Sequence, residues 1–219
     1  MGWLEGWRKR MLGGGGAATR QPERWIVLDV ESSGLDPKRD RLLAIAAIAV
    51  HTAHHPPRIA LGDSFEVVLR QDVEVADKHN ILLHGIGVGA QRQGMPRKDA
   101  LLAFEQFIGT SPLVAFHAAF DEMLILRAFD AELGHRPPNP WLDLEPLAAV
   151  LHPKVRARSL DEWMAQLGIQ CAVRHQAAAD TLATAELLQK LWPAALREMR
   201  GKVTFAGASQ VAAQRRWLA

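Results

Sequence analysis

Hydrophobic positions along this chain follow two rhythms. Trp25-Ile26-Val27-Leu28 is a run rich in β-branched and aromatic residues, and it predicts a strand over 25–30. Leu42 to Val50 is the longest apolar run and predicts a second, buried strand. Phe65, Val67 and Leu69 alternate with polar residues, which predicts a third strand over 63–69. Short links between the three predict an antiparallel meander. Further on the period lengthens. Leu101, Leu102, Phe104 and Phe107 predict the inward face of a helix over 99–108. Leu113 to Phe116 reads as a short buried strand, followed by a helix to residue 131. Residues 142–151 read as a strand end and another helix. Ser159-Leu160-Asp161-Glu162 has the form of a capping box, opening a helix that Gly168 closes. A last long helix is predicted over 176–191, ended or kinked by Pro193. A meander followed by alternating helices and strands predicts an α/β domain with a mixed sheet.

Three stretches break the pattern. Residues 72–97 are irregular and long enough for a functional loop. Residues 1–24 place Trp3, Leu4, Trp7 and Met11 at helical spacing around Arg8-Lys9-Arg10, before the Gly13–Gly16 linker. They are expected to form a flexible arm, with docking onto a protein or nucleic acid as the alternative. Residues 200–219 are expected to be a loosely attached tail. That leaves one domain over 25–199.

Composition narrows the class. The chain has 219 residues, 48% hydrophobic and 23% charged, which suits one globular core. A net charge of +2 permits a nucleic-acid partner without requiring one. Cys171 is the single cysteine, so an internal disulfide is excluded and a reducing, cytoplasmic setting is expected. No apolar run approaches a membrane span, and no secretory h-region is visible.

Candidate chemistry starts where the first strand ends. Asp29 and Glu31 are two residues apart, so both carboxylates share a face of the strand. Ser32-Ser33-Gly34 then turns the chain. Two like charges side by side repel unless a cation lies between them, and carboxylate oxygens suit a hard divalent ion. Asp121 opens the helix after the fourth strand, and Asp180 lies in the first turns of the last long helix. His175 precedes Asp180 by five residues. On one helix the two side chains would lie about 140° apart, so His175 is placed in the preceding loop, leaning over the same site. His51, His54 and His55 form a second, weaker cluster with no matching ligand set. Lys154, Arg156 and Arg158 are a basic loop that either contacts phosphates or is simply solvated.

Asp29-Val30-Glu31-Ser32-Ser33-Gly34, His117-Ala118-Ala119-Phe120-Asp121 and His175-Gln176-Ala177-Ala178-Ala179-Asp180 occur in order across residues 25–192. In this the chain resembles the DEDD-type 3′–5′ exonucleases of the histidine subclass, and is most similar to the proofreading epsilon-subunit group of bacterial DNA polymerase III. The resemblance implies a ribonuclease H-like mixed five-stranded sheet flanked by helices. It implies two Mg²⁺ or Mn²⁺ ions. Asp29 would bridge both, Glu31 and Asp180 would complete the site of the attacking water, and Asp121 would support the second ion. His175 would be the general base, and His117 would orient Asp121 or the strand end. Ser32, Ser33, Gly34 and Leu35, with His84 and Phe120, are the expected substrate contacts, Leu35 as a wedge and Phe120 as a stacking ring or core residue. The implied substrate is a single-stranded or frayed 3′ end, DNA before RNA, and a DNA polymerase or other protein could dock on the N-terminal arm. Ala118 stands where the family has asparagine. This departure keeps open a second reading, a nucleic-acid-binding or polymerase-accessory module with weak catalysis.

Overall fold

A computed structural model describes residues 23–72, 81–82 and 84–217. The N-terminal arm up to residue 22 and the segment 73–80 lie outside these described residues. Three antiparallel-linked strands come first: β1 (Arg24–Ser32), β2 (Leu42–His51) and β3 (Arg58–Val68). Two helices follow, α1 (Val88–Gln93) and α2 (Arg97–Ile108). Then β4 (Leu113–Ala115), α3 (Ala119–Leu133), β5 (Trp141–Asp143) and α4 (Leu144–Leu151) alternate. Helices α5 (Leu160–Leu167), α6 (Ala177–Glu198) and α7 (Phe205–Ala212) complete the chain before a 3-10 turn at Ala213–Trp217.

The sheet order is β3-β2-β1-β4-β5. The first three strands pair antiparallel, and β4 and β5 run parallel to β1. This is the expected mixed sheet, and the fold is ribonuclease H-like. Strand β1 lies at its centre, and alternation along it divides the core. Trp25 and Val27 face a cluster built on α4, α5, α6 and α7. Ile26, Leu28 and Val30 face the opposite cluster, under α2 and α3. By the same alternation Asp29 and Glu31 continue the Trp25–Val27 face, the side on which α6 lies. Helix α6 crosses β1 and β2 closely. Small residues permit this approach: Ala44 and Ala46 on β2 and Ala177, Ala183 and Ala185 on α6 are all buried. The Thr181 hydroxyl donates to the Ala46 carbonyl at 3.2 Å, tying helix to strand.

Several expectations need correction. The C-terminal segment is not a loose tail. Helix α7 is capped by Thr204, whose side chain accepts from the Gly207 N–H. Its Ala208 and Val211 are buried in the main core, and Phe205 meets the Trp25 ring edge-on at 5.3 Å. Pro193 lies inside α6 instead of ending it. The helix loses one backbone bond there, but Leu191, Trp192, Ala194 and Ala195 are buried around the proline and hold it in register. Trp192 packs on Trp25 at 5.6 Å and donates its indole N–H to His55 Nδ1. Strand β3 begins at Arg58, earlier than the alternation suggested, because the β2–β3 register shifts between Ile48 and Ala49. Leu102 faces solvent on α2, while Ala100, Leu101 and Phe104 face inward. The capping box is formed as expected, and Gly168 ends α5 in the left-handed region at φ 66°.

Placing a charge beneath α7 tests its docking. Val211→Asp should cost about 3 kcal/mol in chemical denaturation, since it buries an unpaired carboxylate. A loosely attached tail would leave stability within about 0.5 kcal/mol of the parent.

Candidate active site

The carboxyl end of β1 meets the N-terminal turns of α3 and α6 at an open pocket of about 620 Å³. Asp29, Glu31, Asp121 and Asp180 all line it. Local structure holds each acid in place. Asp121 is in the first turn of α3 and buried, and its Oδ1 accepts from the Val30 N–H at 3.1 Å. That bond fixes the start of α3 to the strand residue lying between Asp29 and Glu31. Asp180 is in the first turn of α6, also buried, and its Oδ2 accepts from the His175 N–H at 3.1 Å. The Ala177 amide, at the start of the same helix, donates to Glu31. Backbone N–H groups at helix N-termini thus serve the negative charge.

Electrostatics show that the four acids share one site. Asp29 is held well above the ordinary carboxylate range, first by burial and then by the charges of Asp121, Glu31 and Asp180. Burial, then Asp180, pushes Glu31 to about 8. Burial also pushes Asp121 to about 8, against hydrogen bonds from its own amide and from Val30, with Asp143 and Glu31 adding repulsion. One cation opposes this accumulation. Arg174 makes an ion pair with Asp180 and a second with Asp161, and its charge lowers both Asp29 and Glu31.

His175 is in the loop before α6, as the spacing implied. It adopts φ 62°, an uncommon conformation for a non-glycine residue. That conformation accompanies the hydrogen bond from its amide to Asp180, while the side chain is exposed on the pocket wall. His117 is bonded to the end of β5. Its amide donates to Asp143 Oδ1 at 2.9 Å, and its Nε2 pairs with the Arg158 carbonyl at 3.0 Å. Asp121 itself is bonded directly by the Val30 amide.

The expected substrate contacts divide. Ser32, Gly34, Leu35, His84 and Phe120 line the pocket. Leu35 is 89% exposed at its rim, an unusual position for a leucine. Phe120 lines the pocket and packs on the core below. His84 is buried, with Nδ1 accepting from the Ile86 N–H, and its Nε2 has no hydrogen-bond partner among the described residues. Ser33 is a correction. Its amide donates to the Arg41 carbonyl, and its hydroxyl donates to Asp40 and accepts from the Arg41 N–H. These bonds brace the turn, so neither group faces the pocket for substrate. Ala118 packs in the core under β1, away from the pocket walls. The histidines of the second cluster separate: His51 faces Asp63, and His55 accepts from Trp192.

Two residues of the site escaped the motif reading. Arg174 directly precedes the third motif, and its signal was a lone cation beside it. Asp143 ends β5, caps α4 through the Glu145 N–H, and holds His117. An aspartate at a strand end was the available sign.

The donor set suits a hard divalent cation, since all four side chains offer carboxylate oxygen. Among the described residues no three acidic, histidine or cysteine groups stand at metal-binding separations. Arg174 is drawn to Asp180, and its charge is felt by Asp29 and Glu31. A divalent ion held by Asp29, Glu31, Asp121 and Asp180 would take the place of that charge.

The exonuclease family profile (RNase_T) matches residues 26–188, and the chain belongs to this family. It is a DEDD-type 3′–5′ exonuclease domain by family. It is 30% identical over 168 residues to DNA polymerase III PolC-type of Clostridium perfringens, covering 76% of this chain and 11% of that one. It is 31% identical over 184 residues to a DNA polymerase III subunit epsilon-like protein of Rhodobacter capsulatus, covering 83% of this chain and 25% of that one. The chain therefore spans a quarter or less of either relative. Among solved structures, a zinc-bound exonuclease I–single-stranded DNA complex of E. coli superposes with a TM-score of 0.66 at 19% identity, covering 81% of this chain and 43% of that one. That likeness is one of fold.

The repulsion predicts a pH dependence in the metal-free protein. Glu31 and Asp121 have folded values near 8, above their ordinary 4.5 and 3.8. Groups raised in this way favour the folded state most below their unfolded values, and that contribution is lost as pH rises through 8. In chelator, the melting temperature should fall between pH 5 and pH 8.5. Asp29→Asn should reduce the fall, and Arg174→Gln should deepen it by about 1–3 kcal/mol at pH 8.5. A flat profile in all three proteins would contradict a shared desolvated site.

Proposed function

We propose that this chain is a metal-dependent 3′–5′ exonuclease that hydrolyses phosphodiester bonds at single-stranded or frayed 3′ ends of DNA, releasing 5′-mononucleotides. The observation that carries the proposal is the meeting of Asp29, Glu31, Asp121 and Asp180, from three distant segments, beside an exposed His175 at one open pocket. Family membership supports the reaction class. The DNA polymerase names of the relatives and the single-stranded DNA bound to exonuclease I support the substrate.

The roles follow from position. Asp29, Glu31, Asp121 and Asp180 would hold two Mg²⁺ or Mn²⁺ ions. When bound, such ions polarise the phosphate and ease ionisation of water and departure of the 3′ oxygen. His175 accepts the proton of the attacking water, because its ring is exposed on the pocket wall and a neutral imidazole nitrogen can act as general base. The Asp180 bond to its backbone fixes the loop so that the ring stays beside the acids. Leu35 and Phe120 flank the terminal base, offering apolar surface against which it can stack. Buried His84, whose Nε2 is unpaired among the described residues, would offer that nitrogen to a polar atom of the terminal nucleotide. His117, held by Asp143 and Arg158, fixes the start of α3 and thus Asp121. The N-terminal arm, outside the described residues, is the proposed docking element for a DNA polymerase or another protein.

The test is digestion of a 3′-labelled single strand with Mg²⁺ or Mn²⁺. Asp29→Asn should lower kcat by roughly 10³-fold or more, and His175→Ala by about 10²–10⁴-fold. Wild-type rates in both variants would overturn the assignment. Binding of DNA without turnover by the wild-type chain would favour an accessory module.

A further inference from the structure

Next to the active-site pocket is a second, polar groove of about 480 Å³, lined by Arg156, Arg158 and Arg215 with Pro153 and Val155. Arg158 and Glu162 belong to the walls of both, so the two cavities adjoin. The groove is assembled from sequence-distant pieces, the loop between α4 and α5 and the 3-10 turn after α7. Burial in the loop alternates: Val155 and Ala157 pack on the core, while Lys154, Arg156 and Arg158 are exposed. The anchored residues therefore present the cations outward. Docking of α7 then brings Arg215 to the same wall.

The acids of the groove do little to neutralise it. The Glu162 carboxylate accepts from the Arg158 and Ser159 N–H groups, so its charge serves the capping box. Glu145 lies 3.9 Å from Arg215, at the outer limit of an ion pair. Arg156 has no ion-pair partner among the described residues. An acidic pocket thus lies beside a basic groove. A polyanion whose end enters the pocket needs its remaining charge matched outside it, and guanidinium groups match phosphates well.

We propose that this groove carries the phosphate backbone of the single strand on the 5′ side of the bond being cut, with Arg156 and Arg215 as its contacts. The proposal rests on the exonuclease reading and adds the path of the strand.

Two substrates separate the groove from the chemistry. One is a single-stranded oligonucleotide longer than a dozen nucleotides. The other is the p-nitrophenyl ester of thymidine 5′-monophosphate, too short to reach the groove. Arg156→Ala and Arg215→Ala should each raise KM for the oligonucleotide roughly 3–10-fold and reduce the slope of log affinity against log salt by about 0.7. Ester hydrolysis should be unaltered, and Arg156→Lys should restore most of the oligonucleotide affinity. Wild-type KM and salt slope in the double variant would remove the groove while leaving the exonuclease reading intact. Failure of the wild-type chain to cleave either substrate would remove both.

Discussion

Four carboxylates are gathered at the end of one central strand, Asp121 and Asp180 buried and Asp29 and Glu31 half-buried, and the ionised forms oppose one another. Burial and mutual repulsion hold Asp29, Glu31 and Asp121 well above the usual range. The neighbouring structure answers that repulsion with backbone amides from Val30, His175 and Ala177 and with the Arg174 guanidinium. Helix α3 starts where Val30 can reach Asp121, and α6 starts where His175 can reach Asp180. The close approach of α6, permitted by alanines on both sides, delivers its acid to the face that Asp29 and Glu31 share. The site costs stability in the absence of a cation, as expected of a place where function takes precedence over local stability.

The two faces of β1 explain how the rest of the molecule supports this arrangement. Trp25, Trp192 and Phe205 form an aromatic cluster at the opposite end of the strand. They fix α6 and α7 against β1 and so set the height at which Asp180 meets Asp29. On the other side, Leu124, Ile125 and Phe129 seat α3 under the sheet, and its first turn reaches around the strand end. Docking of α7 has a further consequence, since it carries Arg215 to the basic wall beside the pocket.

Much of this was legible in the residues. The same-face pair Asp29 and Glu31, the loop position of His175 and the Ser159 capping box follow from strand and helix geometry. The mixed sheet follows from a meander succeeded by alternating elements. Convergence of the acids came from the order of three motifs, because no local rule brings Asp29 near Asp180. What could not be read depends on tertiary contacts. Phe205 to Ala212 is short and composed of small residues with little contrast between its faces, so its burial depends on Trp25. The β3 start was hidden by a register shift in its pairing with β2. Ser33 resembled its neighbour Ser32, and only the fold of the turn onto Asp40 and Arg41 distinguishes them. Arg174 was visible as a charge, but its pairing with Asp180 requires the loop conformation set at His175.

The most direct test of the central claim is an anomalous-difference map from crystals grown with Mn²⁺ and thymidine 5′-monophosphate. Manganese density is expected among the carboxylate oxygens of Asp29, Glu31, Asp121 and Asp180, at about 2.0–2.2 Å, with Arg174 turned away from Asp180. Manganese absent from that site, or Arg174 still paired with Asp180 beside a bound nucleotide, would contradict the claim.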